Sequence, residues 1–158
     1  MYLYADMCSQ HSNNIIIKRY GVAVERVFVN KVAFAALVEG GGVVTWGDAG
    51  GGGDSSAVAA ELEKDVHTIY ATDRAFAARK RDGTVVVWGD ADYGGTINPA
   101  PAFVVDSVAS QVKEITCTSR AFAALTRNGT VHVWGDAAYG TPSRFPTPPP
   151  TPTYKLNK

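Results

Sequence analysis

Three observations predict an all-β chain of three antiparallel repeat units. The segment Ala33-Phe34-Ala35-Ala36 returns as Ala75-Phe76-Ala77-Ala78 and as Ala121-Phe122-Ala123-Ala124, a period of 42 and then 46 residues. Thirteen residues after its first Ala, each copy reaches a Trp-Gly-Asp-Ala, beginning at Trp46, Trp88 and Trp134. Between the two lies a turn dipeptide: Gly40-Gly41, Asp82-Gly83 or Asn128-Gly129. Self-similarity at such a period marks stacked supersecondary units, each too small to bury its apolar face alone.

Each unit opens with an upstream strand, expected at residues 24–29, 66–71 and 115–118. A branched apolar pair recurs there at a fixed distance from the Ala-Phe-Ala-Ala run: Val24 and Val27, Val66 and Ile69, Val112 and Ile115. The run itself is the second strand, and a hairpin leads from it into a third strand ending at Trp-Gly. Both central residues of a two-residue type I′ turn sit at positive φ, which Asp-Gly and Asn-Gly tolerate. Such a turn at Asp82-Gly83 pairs Arg79 with Val86 and Ala77 with Trp88. Phe76, Ala78, Val85 and Val87 then share one face, and Ala75, Ala77, Val86 and Trp88 the other. Being apolar on both faces, this sheet is expected to lie between neighbouring layers, each Trp on a small Ala of the adjoining strand. The charges of Glu39, Arg79 to Asp82 and Arg127 gather at the turn end, toward solvent.

A fourth slot follows the Trp. Residues 55–64 read as a short helix with a Ser cap, whereas 99–108, with two prolines and a Phe-Val-Val run, read as a short strand. Val58 and Val104 stand at equivalent positions, so both segments fill one slot whose conformation the sequence leaves open. The loops just after the Trp, 50–56, 92–101 and 138–148, differ in length and composition, as loops on the binding face of a repeat do.

A repeat of strand, strand, Gly-containing turn and strand ending Trp-Gly, then a Gly-rich turn such as Asp92-Tyr93-Gly94-Gly95, resembles the regulator of chromosome condensation family of β-propeller repeats. The resemblance covers roughly residues 22–141. It implies a partial β-propeller of three blades, an incomplete ring, since members usually close seven and these copies run short. The domain plan is a segment 1–21 with a possible capping strand, a propeller-like domain 22–141 and a Pro-rich tail 142–158. Phe34, Trp46, Phe76, Gly83, Trp88, Phe122, Gly129 and Trp134 are the structural positions of the repeat. Gly51, Asp54, Asp92, Tyr93 and Tyr139 are the candidate partner-contact residues.

Composition narrows the partners. Fifteen Lys and Arg balance fifteen Asp and Glu, so there is no surplus of basic residues for nucleic acid or an anionic membrane. The longest apolar runs fall far short of the ~18 residues of a membrane span, and the N-terminal stretch lacks a signal-peptide core. A cytoplasmic or nuclear location is the expectation. Cys8 and Cys117 are too few and too distant for a disulfide framework or zinc site. Cys117 reads as an unreactive core thiol.

Few motifs suggest chemistry. Asp48, Asp90 and Asp136 follow each Trp-Gly, and their expected work is bonding the backbone of the next turn rather than holding a cation. Asp90 and Asp92 resemble the start of a calcium loop, but Pro101 stands where the bidentate Glu belongs. His11, His67 and His132 lack ligand or triad spacing, and His132 reads as a structural strand residue opposite Leu125. Residues 50–53 are glycine-rich without a phosphate-loop Lys. Asn128-Gly129-Thr130 fits a glycosylation sequon but serves as a turn. In the tail, Pro146, Pro149 and Pro152 recur every third residue, the spacing of one polyproline II face, although a solvated tail accounts for them as well.

The functional expectation is a non-catalytic protein-interaction module or scaffold without cofactor or metal. The alternative is part of a small-GTPase exchange factor or the recognition region of a ubiquitin ligase. Three repeats leave two open ends, so the chain is expected to belong to a longer array or to self-associate through its terminal blade faces. An end-capped monomer would instead need Ile15-Ile16-Ile17 and 55–64 to cover them.

Overall fold

The computed structural model describes residues 23–96 and 112–140. The expectations for Ile15 to Ile17, for 99–108 and for the Pro-rich tail lie outside them. Among the described residues nine strands form three sheets in sequence order. The first repeat holds β1 (Val24–Val29), β2 (Ala33–Val38) and β3 (Gly42–Gly47); the second holds β4 (Val66–Ala71), β5 (Ala75–Lys80) and β6 (Val85–Gly89); the third holds β7 (Val112–Cys117), β8 (Ala121–Thr126) and β9 (Val131–Gly135). Every sheet is an antiparallel meander, and each is one blade.

The first strand of each blade carries a bulge at the same place, between Val24 and Arg26, Val66 and Thr68, Val112 and Glu114. The extra residue explains the spacing of three seen in the sequence. In a regular strand, positions three apart point to opposite faces; the bulge returns Val66 and Ile69 to one face, where both are buried.

The hairpin turns differ from expectation. Arg79 pairs with Val85, Ala77 with Val87 and Phe76 with Trp88, one residue away from the register of a two-residue turn. Lys80 accepts from Gly83 N–H at 3.0 Å and donates its own N–H to the Thr84 carbonyl at 2.8 Å. Only Gly83 is left-handed, at φ 92°. This is a three-residue loop with a glycine bulge. The cause lies in Asp82, whose Oδ1 accepts from Thr84 N–H at 2.8 Å and holds Asp82 in an ordinary turn conformation. Asn128 does the same for Thr130 at 3.0 Å, with Gly129 at φ 88°.

Because one residue of register exchanges the two faces, the Trp partners change too. Trp88 does not lie on an Ala of the adjoining strand; it shares a face with Phe76, the rings stacked at 5.3 Å, as Phe122 and Trp134 are at 5.3 Å and Phe34 and Trp46 at 5.2 Å. His132 likewise pairs with Ala124, not Leu125.

Each blade is apolar on both faces, and the core lies between blades. Ala33, Ala35 and Leu37 of the first blade pack on Phe76, Ala78, Val86 and Trp88 of the second, with Leu62 closing the layer. The opposite face of the second blade, Ala75, Ala77 and Val85, packs on Phe122, Ala124 and Trp134 of the third. The Ala side of one blade receives the Phe–Trp side of the next.

Residues 55–64 are neither helix nor strand. A 3₁₀ turn spans Ser56–Val58, and Ser55 makes no capping bond; Asp54 Oδ1 takes Ser56 N–H instead, at 2.9 Å. The segment runs beside the outer edge of β3, where Val43 N–H reaches the Leu62 carbonyl at 3.0 Å.

Candidate interaction surface

The strand directions bring two sets of loops to one end of the blades: those joining first to second strand (30–32, 72–74, 118–120) and those following the Trp (48–54, 90–96, 136–140). Threonine ties them together. Thr72 Oγ1 donates to the Tyr93 carbonyl at 2.9 Å and Thr118 Oγ1 to that of Tyr139 at 2.8 Å. In the first blade Asn30 does this work, its Nδ2 reaching the Gly51 carbonyl at 2.7 Å.

The three aspartates cap these loops, as their place after a strand suggests. Asp48 Oδ1 accepts from Gly51 N–H at 2.7 Å, Asp90 Oδ1 from Asp92 N–H at 3.0 Å and Asp136 Oδ1 from Ala138 N–H at 2.8 Å. Each opens a short 3₁₀ turn: Ala49–Gly51, Ala91–Tyr93 and Ala137–Tyr139. Among the described residues no group of three or more His, Cys, Asp or Glu comes together as a metal site.

Two arginines, which the sequence reading did not single out, join the loops of successive blades. Arg74 Nε meets Asp90 at 3.1 Å while its Nη2 reaches Asp48 of the preceding blade at 3.2 Å. Arg120 binds Asp136 at 3.3 Å and lies over two rings, 4.6 Å from the centre of Tyr93 and 4.9 Å from that of Tyr139. Burial works against its charge, but Tyr93, Asp136 and Tyr139 outweigh it and hold the guanidinium above its ordinary range. The signal was present: Arg occupies the position just before the Ala-Phe-Ala-Ala run in two repeats, and Val32 in the first.

Of the candidate contact residues, Asp54, Asp92 and Tyr139 are exposed, Tyr93 is half-buried and Gly51 is buried. Bonds from Ser56 hold the Asp54 carboxyl below its usual range. The structural positions Phe76, Trp88, Phe122 and Trp134 are buried, whereas Phe34 and Trp46 are half-buried.

Nearer the first strands, residues 29–31, 71–73 and 117–119, one triplet per blade, line a pocket of about 530 Å³. Lys31 Nζ meets Asp73 there at 2.7 Å. Cys117, expected in the core, stands exposed at this strand end; its thiol donates to the Ala71 carbonyl at 3.1 Å, and partial burial of the sulfur pushes its pKa up. A second pocket, about 590 Å³, lies between β6 and the 55–61 segment and reaches Thr96.

The family model described as the Regulator of chromosome condensation (RCC1) repeat matches residues 112–141, which hold the third blade. The third blade is a repeat of that type. The first two blades share the third's register, bulge and Phe–Trp pair. Among solved structures, human WBSCR16 is similar at 22% identity and a TM-score of 0.51, over 75% of this chain and 35% of that one. The CRINKLY WD40 ectodomain of the Arabidopsis thaliana receptor kinase ACR4 is similar at 16% identity and a TM-score of 0.51, over 75% of this chain and 42% of that one. These likenesses give the propeller fold alone. The chain thus spans less than half the length of either structure. No curated protein matches it. Among the described residues no helix is long and apolar enough to cross a membrane.

Proposed function

We propose that these blades form a non-catalytic protein-binding module whose partner docks on the loops following each Trp. The observation that carries this reading is the continuous row running Asp48, Arg74, Asp90 and then Tyr93, Arg120, Tyr139, with Asp92 and Tyr139 exposed on it. Arginine stacked between tyrosines gives flat, pre-ordered contact area at low entropic cost, and such residues dominate binding energy at protein interfaces. The hairpin ends beneath are fixed by backbone bonds, so loop sequence can vary without disturbing the blades.

Affinity capture with the full chain tests the reading. Partners retained by the wild type are expected to be lost with Asp92→Lys or Tyr139→Ala and kept with Arg81→Glu at the opposite, turn end. A partner insensitive to both loop variants would refute the docking surface. Accelerated nucleotide release from a small GTPase would replace the non-catalytic reading with the exchange-factor one.

A further inference from the structure

Basic side chains are treated differently at the two ends of the blades. At the loop end Lys31 is paired with Asp73, Arg74 with Asp48 and Asp90, and Arg120 with Asp136. At the turn end Arg26, Arg79 and Arg81 have no carboxylate partner among the described residues. The backbone nevertheless gathers these three about the start of β4. Arg26 comes from the first blade, its guanidinium 5.5 Å from the centre of the Phe28 ring and its Nη2 donating to the His67 carbonyl at 2.7 Å. Arg79 stands opposite Thr68 in the pairing of β4 with β5, and Arg81 N–H reaches the Asp65 carbonyl at 2.8 Å. His67, between them, is held below its ordinary pKa by desolvation first and then by the charges of Arg79, Arg81 and Arg26.

The repeat does not require this charge. Where the junction of the first and second blades has Arg26 and Arg79, that of the second and third has Thr68 and Leu125. Arg79 Nε is also buried without a hydrogen-bond partner among the described residues, a cost that a leucine at the same place avoids. The nearby Asp82 carboxylate is turned back on its own hairpin, bonded to Thr84 N–H at 2.8 Å. Like charges gathered without a counter-charge raise one another's energy, and a bound anion relieves it. Arg26, His67 and Arg81 are exposed, so an ion reaches them directly from solvent. The guanidinium fork of N–H donors matches the oxygens of a phosphate group.

We propose that Arg26, Arg79 and Arg81, grouped about His67, form a binding site for a phosphate dianion, as the free ion or as the phosphate group of a small monoester. Arg26 belongs to the first blade and the other two to the second, so the site exists only where these blades meet. It lies at the opposite end of the blades from the loop surface proposed above and does not rest on that reading.

Titration of the full chain with inorganic phosphate and, separately, with methyl phosphate tests it, at constant ionic strength, by calorimetry and by the His67 ring resonances in NMR. The expected result is saturable binding of at least one probe that moves those resonances and raises the His67 pKa, since the anion offsets the arginine charges. Arg26→Ala and Arg79→Leu should each weaken binding by roughly tenfold or more, whereas Arg127→Ala, which removes one positive charge from the third blade's turn, should leave it unchanged. Arg79→Leu installs the residue that the other two blades hold there, so its melting midpoint without anion should be no lower than that of the wild type, separating lost binding from lost folding. Affinity for inorganic phosphate equal to or above that for methyl phosphate assigns the site to the free ion, and tighter binding of methyl phosphate assigns it to a monoester. No saturable binding of either probe up to about 10 mM, binding that leaves the His67 resonances in place, or equal weakening by all three substitutions overturns the proposal.

Discussion

The first and second blades carry nearly the same hairpin, yet their Trp residues differ in environment. Trp88 is 4% exposed, stacked on Phe76 and bonded to the Gly52 carbonyl. Trp46 stacks on Phe34 in the same way but stays half-buried, its indole unpaired among the described residues. The stack belongs to the hairpin, since both members lie opposite each other across two strands. The burial belongs to the junction, because it is the preceding blade that supplies both the Ala face and the glycine loop. A blade of this kind is therefore completed by its predecessor, as expected of a quasi-one-dimensional array.

The largest effect that can break this comparison is truncation of the two indoles. Trp88→Ala is expected to remove about 3–5 kcal/mol, the range for a buried aromatic, and Trp46→Ala about 1–3 kcal/mol, nearer the value of partial burial. Urea denaturation of both variants measures the gap, and equal losses would mean that the hairpin alone sets the energy.

Next comes the glycine that receives the indole. A Cβ on Gly52, at φ 96°, would meet the Phe76 ring at 2.7 Å, whereas at Gly140, φ 143°, the nearest atom stands 3.6 Å away. Gly52→Ala should cost about 2–4 kcal/mol from backbone strain and overpacking together, and Gly140→Ala about 1 kcal/mol from strain. Paired thermal melts check the ratio. Should the two cost the same, the glycine matters only for its turn.

Turn strain without crowding is isolated at Gly129, where φ is 88° and a Cβ meets nothing within 4 Å. Gly129→Val is expected to lose about 1–2 kcal/mol in chemical denaturation. A neutral substitution would show that the third hairpin tolerates another register.

A gain is expected at Arg79. Among the described residues its Nε is buried without a hydrogen-bond partner, and the same position holds Leu37 and Leu125 in the other blades. Arg79→Leu should raise stability by about 1 kcal/mol by removing an unsatisfied polar atom; destabilisation would mean that the arginine is needed at the second junction.

The smallest effect is the pH response of His67, whose pKa is lowered by desolvation first and then by the charges of Arg79, Arg81 and Arg26. A depressed folded pKa means that the neutral imidazole favours the fold. That contribution is complete above about 6.5, the ordinary histidine value, and is lost as pH falls from there through the folded pKa. Melting midpoints should drop slightly between pH 8 and pH 5, and His67→Gln should flatten the slope.

Much of this architecture is legible in the residues themselves. The repeat, the hairpins between Ala-Phe-Ala-Ala and Trp-Gly, the upstream strands at 24–29 and 66–71, and the charged turn ends all follow from local spacing, and the aspartates after each Trp cap as their position suggests. Turn dipeptides and strand alternation act over a few neighbours, so sequence can hold them. The register could not be read with the same certainty, because Asp-Gly suits a two-residue turn and a three-residue loop alike; the Asp82 bond to Thr84 selects the loop, and that one residue decides whether Trp88 faces Ala77 or Phe76. Residues 55–64 likewise took their shape from β3 and not from helix propensity. The row linking Arg74 and Arg120 to the loops of successive blades forms only when blades stack, as does the burial of each Trp. Both depend on contacts some forty residues apart in sequence, 36 and 40 for the two indole bonds, and no local pattern encodes which faces will meet.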